Sequence, residues 1–131
     1  MKESNFKFTN PIVEKLVYNI SEKYNPSITP TVNNNFEVNI ARSESSNEAI
    51  VRLKVTVDGN LDDANSPFSV SLTIGAKFIW DDSYDEETIS SLLSINAPAL
   101  LLGYARPIIS SITTTCPCGA YNLPFYNFLQ K

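Results

Sequence analysis

Two cysteines, Cys116 and Cys118, are the side chains of this sequence best suited to chemistry. One proline separates them, and the sequence contains no histidine, so the usual base of Ser/His/Asp and Cys/His arrangements is missing. A Cys-x-Cys pair can hold one side of a zinc ion, but a tetrahedral site needs two more ligands. A disulfide across one residue would be strained. We interpret the pair as the structural end of a helix, with a redox-sensitive pair and a metal site shared between subunits as alternatives.

Carboxylates are densest in residues 81–87, which read DDSYDEE. Neighbouring carboxylates can serve as an acid and base or bind calcium, but this spacing does not match a calcium-binding loop. Acidic side chains are also favoured at the start of a helix by the helix dipole. The sequence has no glycine-rich phosphate loop. We therefore predict a helix start here, and a protein that is not an enzyme and uses no metal or cofactor.

Composition indicates one globular domain over residues 1–131, because 131 residues with 43% hydrophobic side chains can bury one core. The formal net charge of −4, with ten scattered basic residues, disfavours nucleic acid and anionic membranes as partners. Residues 1–10 contain no apolar run typical of a secretion signal. We expect a cytoplasmic protein.

Alternation of apolar and polar residues predicts four antiparallel strands. The clearest run is residues 68–80, preceded by residues 51–57 and 36–40. The first strand spans residues 6–20, as one long strand or as two pieces, and a shift in its apolar phase near Asn10-Pro11 indicates a bulge. Helical spacing follows the strands, so we predict an α+β domain with helices covering one face of the sheet.

The helical part is predicted as a short helix in residues 81–95, a turn at Asn96-Ala97 and a long helix in residues 98–115. Pro107 lies inside the long helix and should kink it. Its apolar positions form two stripes, more than one sheet can cover, which indicates an oligomer. The predicted interface residues are Leu101, Tyr104, Ile108 and Ile112. Residues 95–112 are at the short limit for a membrane span and contain Arg106, so we favour burial within protein.

Three sequence blocks resemble the SecB family of protein-export chaperones and its shorter SecB-like relatives. They are PFSVSLTIGAKFIW in residues 67–80, APALLLGYARPIISSIT in residues 97–113 and NLPFYNFLQ in residues 122–130. The resemblance implies a four-stranded antiparallel sheet, a short helix and a long helix on one sheet face, assembled as a dimer of dimers. It also implies an ATP-independent holdase that binds unfolded or preprotein polypeptide, with SecA or an antitoxin as a further partner.

Apolar residues in loops are the candidate client site. The resemblance places a groove for extended polypeptide between the loop joining the first two strands and the region beyond the long helix. The residues are Tyr24, Ile28, Val32, Leu123, Phe125, Tyr126 and Phe128. Three alternatives stay open: a chaperone dedicated to a toxin–antitoxin or phage partner, a structural oligomerisation module, and a small-ligand binder with a pocket near Trp80.

Overall fold

The fold is an antiparallel sheet with a helical layer on one face. A computed structural model describes residues 2–27, 32–57 and 66–129. The elements, in chain order, are β1 (Lys7–Phe8), β2 (Ile12–Ile20), β3 (Asn34–Arg42), β4 (Glu48–Val57), β5 (Phe68–Ile79), α1 (Glu86–Ser91), a π-helical stretch (Leu92–Asn96) and α2 (Ala97–Ile112). Strands β1 and β2 both pair with β5, which pairs with β4, which pairs with β3. The predicted α+β class is therefore confirmed.

The sheet has five strands rather than the predicted four. The predicted first strand is divided between β1 and β2, because the chain leaves the ladder around Asn10 and Pro11 and proline has no N–H to donate. The register then shifts between Val13 and Lys15. This shift is a bulge, a few residues later than predicted.

Strands β4 and β5 form the centre of the core. Their directly opposed residues, such as Val55 and Leu72 or Leu53 and Ile74, are 0–1% exposed. The even-numbered residues of β5 from Phe68 to Phe78 are buried towards the helices. The alternation predicted from the sequence for this strand is confirmed.

The helices form one continuous run, Glu86–Ile112. It starts where the Asp85 carboxylate accepts a hydrogen bond from the Thr88 backbone N–H at 2.7 Å. Hydrogen bonds with the side chain and the backbone of Thr88 lower the pKa of Asp85. The predicted turn at Asn96-Ala97 is wrong, because both residues have right-handed helical backbone angles and the π-helical stretch carries the chain into α2. Helix α2 ends at Ile112, three residues before the predicted end.

Helix α2 packs on β4 and β5 through Leu101, Leu102, Ala105 and Ile109, which are at most 5% exposed. The helix Glu86–Ile112 is long and apolar enough to cross a membrane. The core helix of a globular protein passes the same test, and α2 lies on the sheet as such a helix does.

Candidate functional site

The candidate site lies where the segment after α2 meets the start of β3. Thr113 is fully buried, and its hydroxyl donates to the carbonyl of Ile109 at 2.7 Å and accepts from the Tyr121 N–H at 2.8 Å. The Tyr121 hydroxyl accepts from the Asn34 amide at 2.8 Å and lies 3.0 Å from its oxygen. These contacts tie the C-terminal segment, residues 113–129, both to α2 and to β3.

Arg106 fixes the next part of this segment. Its Nε donates to the carbonyl of Leu123 at 3.1 Å, and its guanidinium lies 4.6 Å from the ring centroid of Phe125. Such a cation–π contact at an exposed site contributes about 0.5–1 kcal/mol. A shallow depression of about 190 Å³ lies between α2 and the segment, lined in part by Arg106 and Leu123.

Three aromatic side chains, Phe36 of β3 with Tyr126 and Phe128, form an aromatic cluster. The ring centroids of Phe36 and Tyr126 are 4.4 Å apart, those of Tyr126 and Phe128 are 4.9 Å apart, and those of Phe36 and Phe128 are 6.5 Å apart. Tyr126 is 45% exposed and its neighbour Phe125 is 89% exposed. The cluster and Phe125 thus present apolar surface beside the edge strand β3.

The structure places the predicted binding residues in different environments. Phe125, Tyr126 and Phe128 lie on or beside the aromatic cluster. Leu123 belongs to the core at 1% exposure, so it offers no surface to a client. Tyr24 and Val32 are half-buried, and Ile28 lies outside the described residues.

Three residues of this region were missed from the sequence: Asn34, Phe36 and Arg106. Phe36 has the spacing of an ordinary core position, and nothing local reveals that its strand is at the edge of the sheet. Arg106 had a usable signal, because a lone arginine in an apolar helix needs a polar partner nearby.

The predicted interface residues also differ in how far they are exposed. Leu101 is fully buried in the chain's own core and is not available to a partner. Tyr104 is 43% exposed and contacts Phe8 edge to face, with ring centroids 6.3 Å apart, while Ile108 and Ile112 are half-buried. Strands β1 and β2 add further side chains on the helix side of the sheet, each 40–42% exposed. We call Tyr104 and these residues the apolar strip: Phe8, Val13, Leu16, Ile20 and Tyr104.

The surroundings of Trp80 and the acidic residues 81–87, which were considered as a ligand pocket and as a metal or acid–base site, have structural roles. The rings of Phe6 and Trp80 stack with centroids 6.3 Å apart, and the Arg42 guanidinium lies 5.5 Å from the centroid of the Trp80 ring, so two side chains of the chain itself pack near this half-buried ring. In residues 2–27, 32–57 and 66–129, no group of three or more His, Cys, Asp or Glu side chains could hold a metal ion. Within 81–87, Asp85 caps α1 and Glu86 pairs with Arg42.

Comparison with known proteins gives a consistent assignment of fold and family. The solved structure of a SecB-like chaperone from Mycobacterium tuberculosis, in complex with a ChAD peptide from an antitoxin, matches with a TM-score of 0.75 and 13% identity over 94% of this chain and 91% of that one. A protein of unknown function from Streptococcus agalactiae matches with a TM-score of 0.53 and 15% identity over 92% of this chain and 97% of that one. The comparison with curated protein sequences found no match. The family model described as preprotein translocase subunit SecB matches residues 12–130, and the chain therefore belongs to the SecB family.

Proposed function

We propose that this protein is an ATP-independent holdase that binds unfolded or preprotein polypeptide in the cytoplasm. The observation that carries the proposal is the aromatic cluster with Phe125, exposed at a sheet edge and held in place from two sides. Aromatic surface of this kind can take apolar side chains of many sequences. Membership of the SecB family and the peptide complex of the structural relative support this function.

Strand β3 supplies the second part of the proposed mechanism. Among the strands that the structure describes, β3 is an edge strand that pairs only with β4, in a nine-residue register without a shift. Its outer backbone groups can therefore form hydrogen bonds with an extended client, which do not depend on the client's sequence. Many weak contacts of both kinds hold an unfolded chain, while a compact native protein exposes too little matching surface.

We further propose that the protein assembles as a dimer of dimers, with the apolar strip forming one of the two kinds of interface that such an assembly needs. The five side chains of the strip come from β1, β2 and α2 and are 40–43% exposed in the single chain. Exposed apolar surface that is contiguous across elements is typical of an interface. A tetramer would present several client surfaces to one unfolded chain, which raises its overall affinity.

A chaperone dedicated to one partner is the second candidate, because the structural relative from Mycobacterium tuberculosis was solved with a peptide from an antitoxin. In that role the same surface would select a single antitoxin or phage protein, and neither export nor SecA docking would be needed. A purely structural oligomerisation module would use no client surface.

Suppression of aggregation without nucleotide tests the proposal. Purified oligomer is mixed with a chemically unfolded, slowly folding protein, and light scattering is recorded as the denaturant is diluted. We expect scattering to fall with stoichiometric amounts of oligomer and to be insensitive to ATP. A dedicated chaperone would leave unrelated proteins to aggregate but protect its own partner, and a structural module would protect neither.

A further inference from the structure

Cys116 and Cys118 lie in the turn between α2 and the C-terminal segment, with their sulfur atoms 3.1 Å apart. Both are free cysteines; Cys116 is buried, and Cys118 is exposed. A disulfide bond is about 2.05 Å long, so the two sulfur atoms need to approach by only about 1 Å to form one. The geometry thus already brings together two thiols of different accessibility.

The backbone of the turn holds the sulfur atoms in this arrangement. The Cys116 N–H donates to the carbonyl of Thr113 at 2.9 Å, and the Gly119 N–H donates to the carbonyl of Cys116 at 2.9 Å. Gly119 has a φ of 85°, a left-handed conformation that glycine adopts more easily than other residues. Pro117 lies between the cysteines, and its ring fixes its own φ. Restricted backbone freedom lowers the entropy lost on closing the small ring.

We propose that Cys116 and Cys118 form a reversible thiol–disulfide pair that reacts with small-molecule disulfides. The exposed Cys118 thiolate attacks one sulfur of the small disulfide and releases one small thiol. The Cys116 thiolate then attacks the Cys118 sulfur of the mixed disulfide and releases the second small thiol. The protein loses two protons and two electrons, and the small disulfide gains both as it becomes two thiols.

The surroundings predict how this reaction depends on pH. Cys118 is exposed as a residue, but partial desolvation of its sulfur, followed by the hydrogen bond and charge interaction with Cys116, raises the pKa of the Cys118 thiol to about 11. Tyr18 of β2 is the titratable side chain from the sheet that interacts electrostatically with both thiols. Only the thiolate attacks a disulfide, so the rate should rise about tenfold per pH unit between pH 7 and 9.

Strain across a single intervening residue makes the bond easy to reduce, and strained disulfides are the labile, regulatory ones. The pair therefore responds to oxidation without becoming a permanent cross-link. The bond would form in the turn that joins α2 to the C-terminal segment, and that segment carries Tyr121 and two side chains of the aromatic cluster, Tyr126 and Phe128. Oxidation would therefore alter the link between α2 and this part of the proposed client surface.

The test uses the full chain, reduced and then incubated with oxidised glutathione at pH 8 in the presence of a chelator. We expect a mass loss of about 2 Da and the loss of both alkylatable thiols, each reversed by dithiothreitol. The same protein in urea is the matched control. We expect at least about tenfold less intramolecular disulfide at equilibrium there, because the turn no longer holds the sulfur atoms together.

Two variants separate the steps. Cys118→Ser should give no mass loss and react little, while Cys116→Ser should stop at a glutathione adduct on Cys118. Cys116→Ala replaces the latter if serine at this buried position prevents folding. Wild-type protein that accumulates the glutathione adduct, forms disulfide-linked dimers, fails to react, or forms the internal bond equally well in urea would overturn the proposal.

Discussion

Two half-buried tyrosines, Tyr18 and Tyr121, differ in whether their hydroxyl group has a hydrogen-bond partner. The Tyr121 hydroxyl is hydrogen-bonded to Asn34 across 87 residues of sequence. The Tyr18 hydroxyl is buried and has no hydrogen-bond partner among the residues that the structure describes. Burial is also the main cause of the raised pKa of Tyr18. A buried polar group without a hydrogen-bond partner destabilises the folded state, whereas a buried polar group with a partner stabilises it.

Replacing each tyrosine by phenylalanine tests this contrast. Tyr121→Phe should lower the free energy of unfolding by about 1 kcal/mol, because it leaves the Asn34 amide with one partner fewer. Tyr18→Phe should leave the free energy of unfolding unchanged or raise it. Urea unfolding followed by tryptophan fluorescence measures both. Equal losses in the two variants would mean that Tyr18 has a partner in solution.

Strand β5 is the element whose sequence predicts its environment most directly. Leu72 is fully buried between β4 and β2, while Ser71 points to the other face of the sheet. Leu72→Ala should therefore lower the free energy of unfolding by about 2–5 kcal/mol, and Ser71→Ala by less than about 0.5 kcal/mol. Similar effects at the two positions, measured by chemical unfolding, would contradict one-sided burial of the strand.

Periodicity predicted the central strands and α2 because burial on one face repeats with the geometry of the element. It failed where the environment depends on neighbours distant in sequence. Leu101 is predicted at the oligomer interface and Leu123 in the client groove, although both are core residues, since an apolar residue has the same local signal in each of these places. Phe36 was missed because only strand pairing makes β3 an edge.

At the scale of the whole molecule, α2 separates the two proposed surfaces. Tyr104 and Arg106 are two residues apart, about 200° around a helix. Tyr104 contacts Phe8 at one edge of the sheet, and Arg106 contacts Leu123 and Phe125 of the C-terminal segment. The proposed interface and client surface therefore lie on different flanks, and substitutions should affect them independently.

The flank of α2 that carries Tyr104 gives a prediction for the oligomeric state. Tyr104→Asp places a charge in the apolar strip, where burial without a partner costs several kcal/mol, and should dissociate the assembly while the domain stays folded. Light scattering coupled to gel filtration measures the mass. Ile12→Asp is the control, because Ile12 is 65% exposed on the opposite face of the sheet and should leave the mass unchanged. An unaltered mass in Tyr104→Asp would exclude the apolar strip as an interface.

Client affinity of a double variant tests the central claim most directly. Phe125→Ser with Tyr126→Ser removes two exposed aromatic side chains and should weaken binding of a labelled, unfolded client by about tenfold or more, with the oligomer mass unchanged and the domain still folded. The thermal midpoint should fall by only a few degrees, because the two side chains make a cation–π contact and ring contacts within the chain. The matched control is Ile12→Ser with Ile50→Ser, which removes two exposed apolar side chains from the opposite face of the sheet. Fluorescence anisotropy should show that the Ile12/Ile50 control variant binds the client with wild-type affinity. Only the Phe125/Tyr126 variant should bind it more weakly. Equal affinities for the wild type and both variants would contradict a client surface at the C-terminal segment.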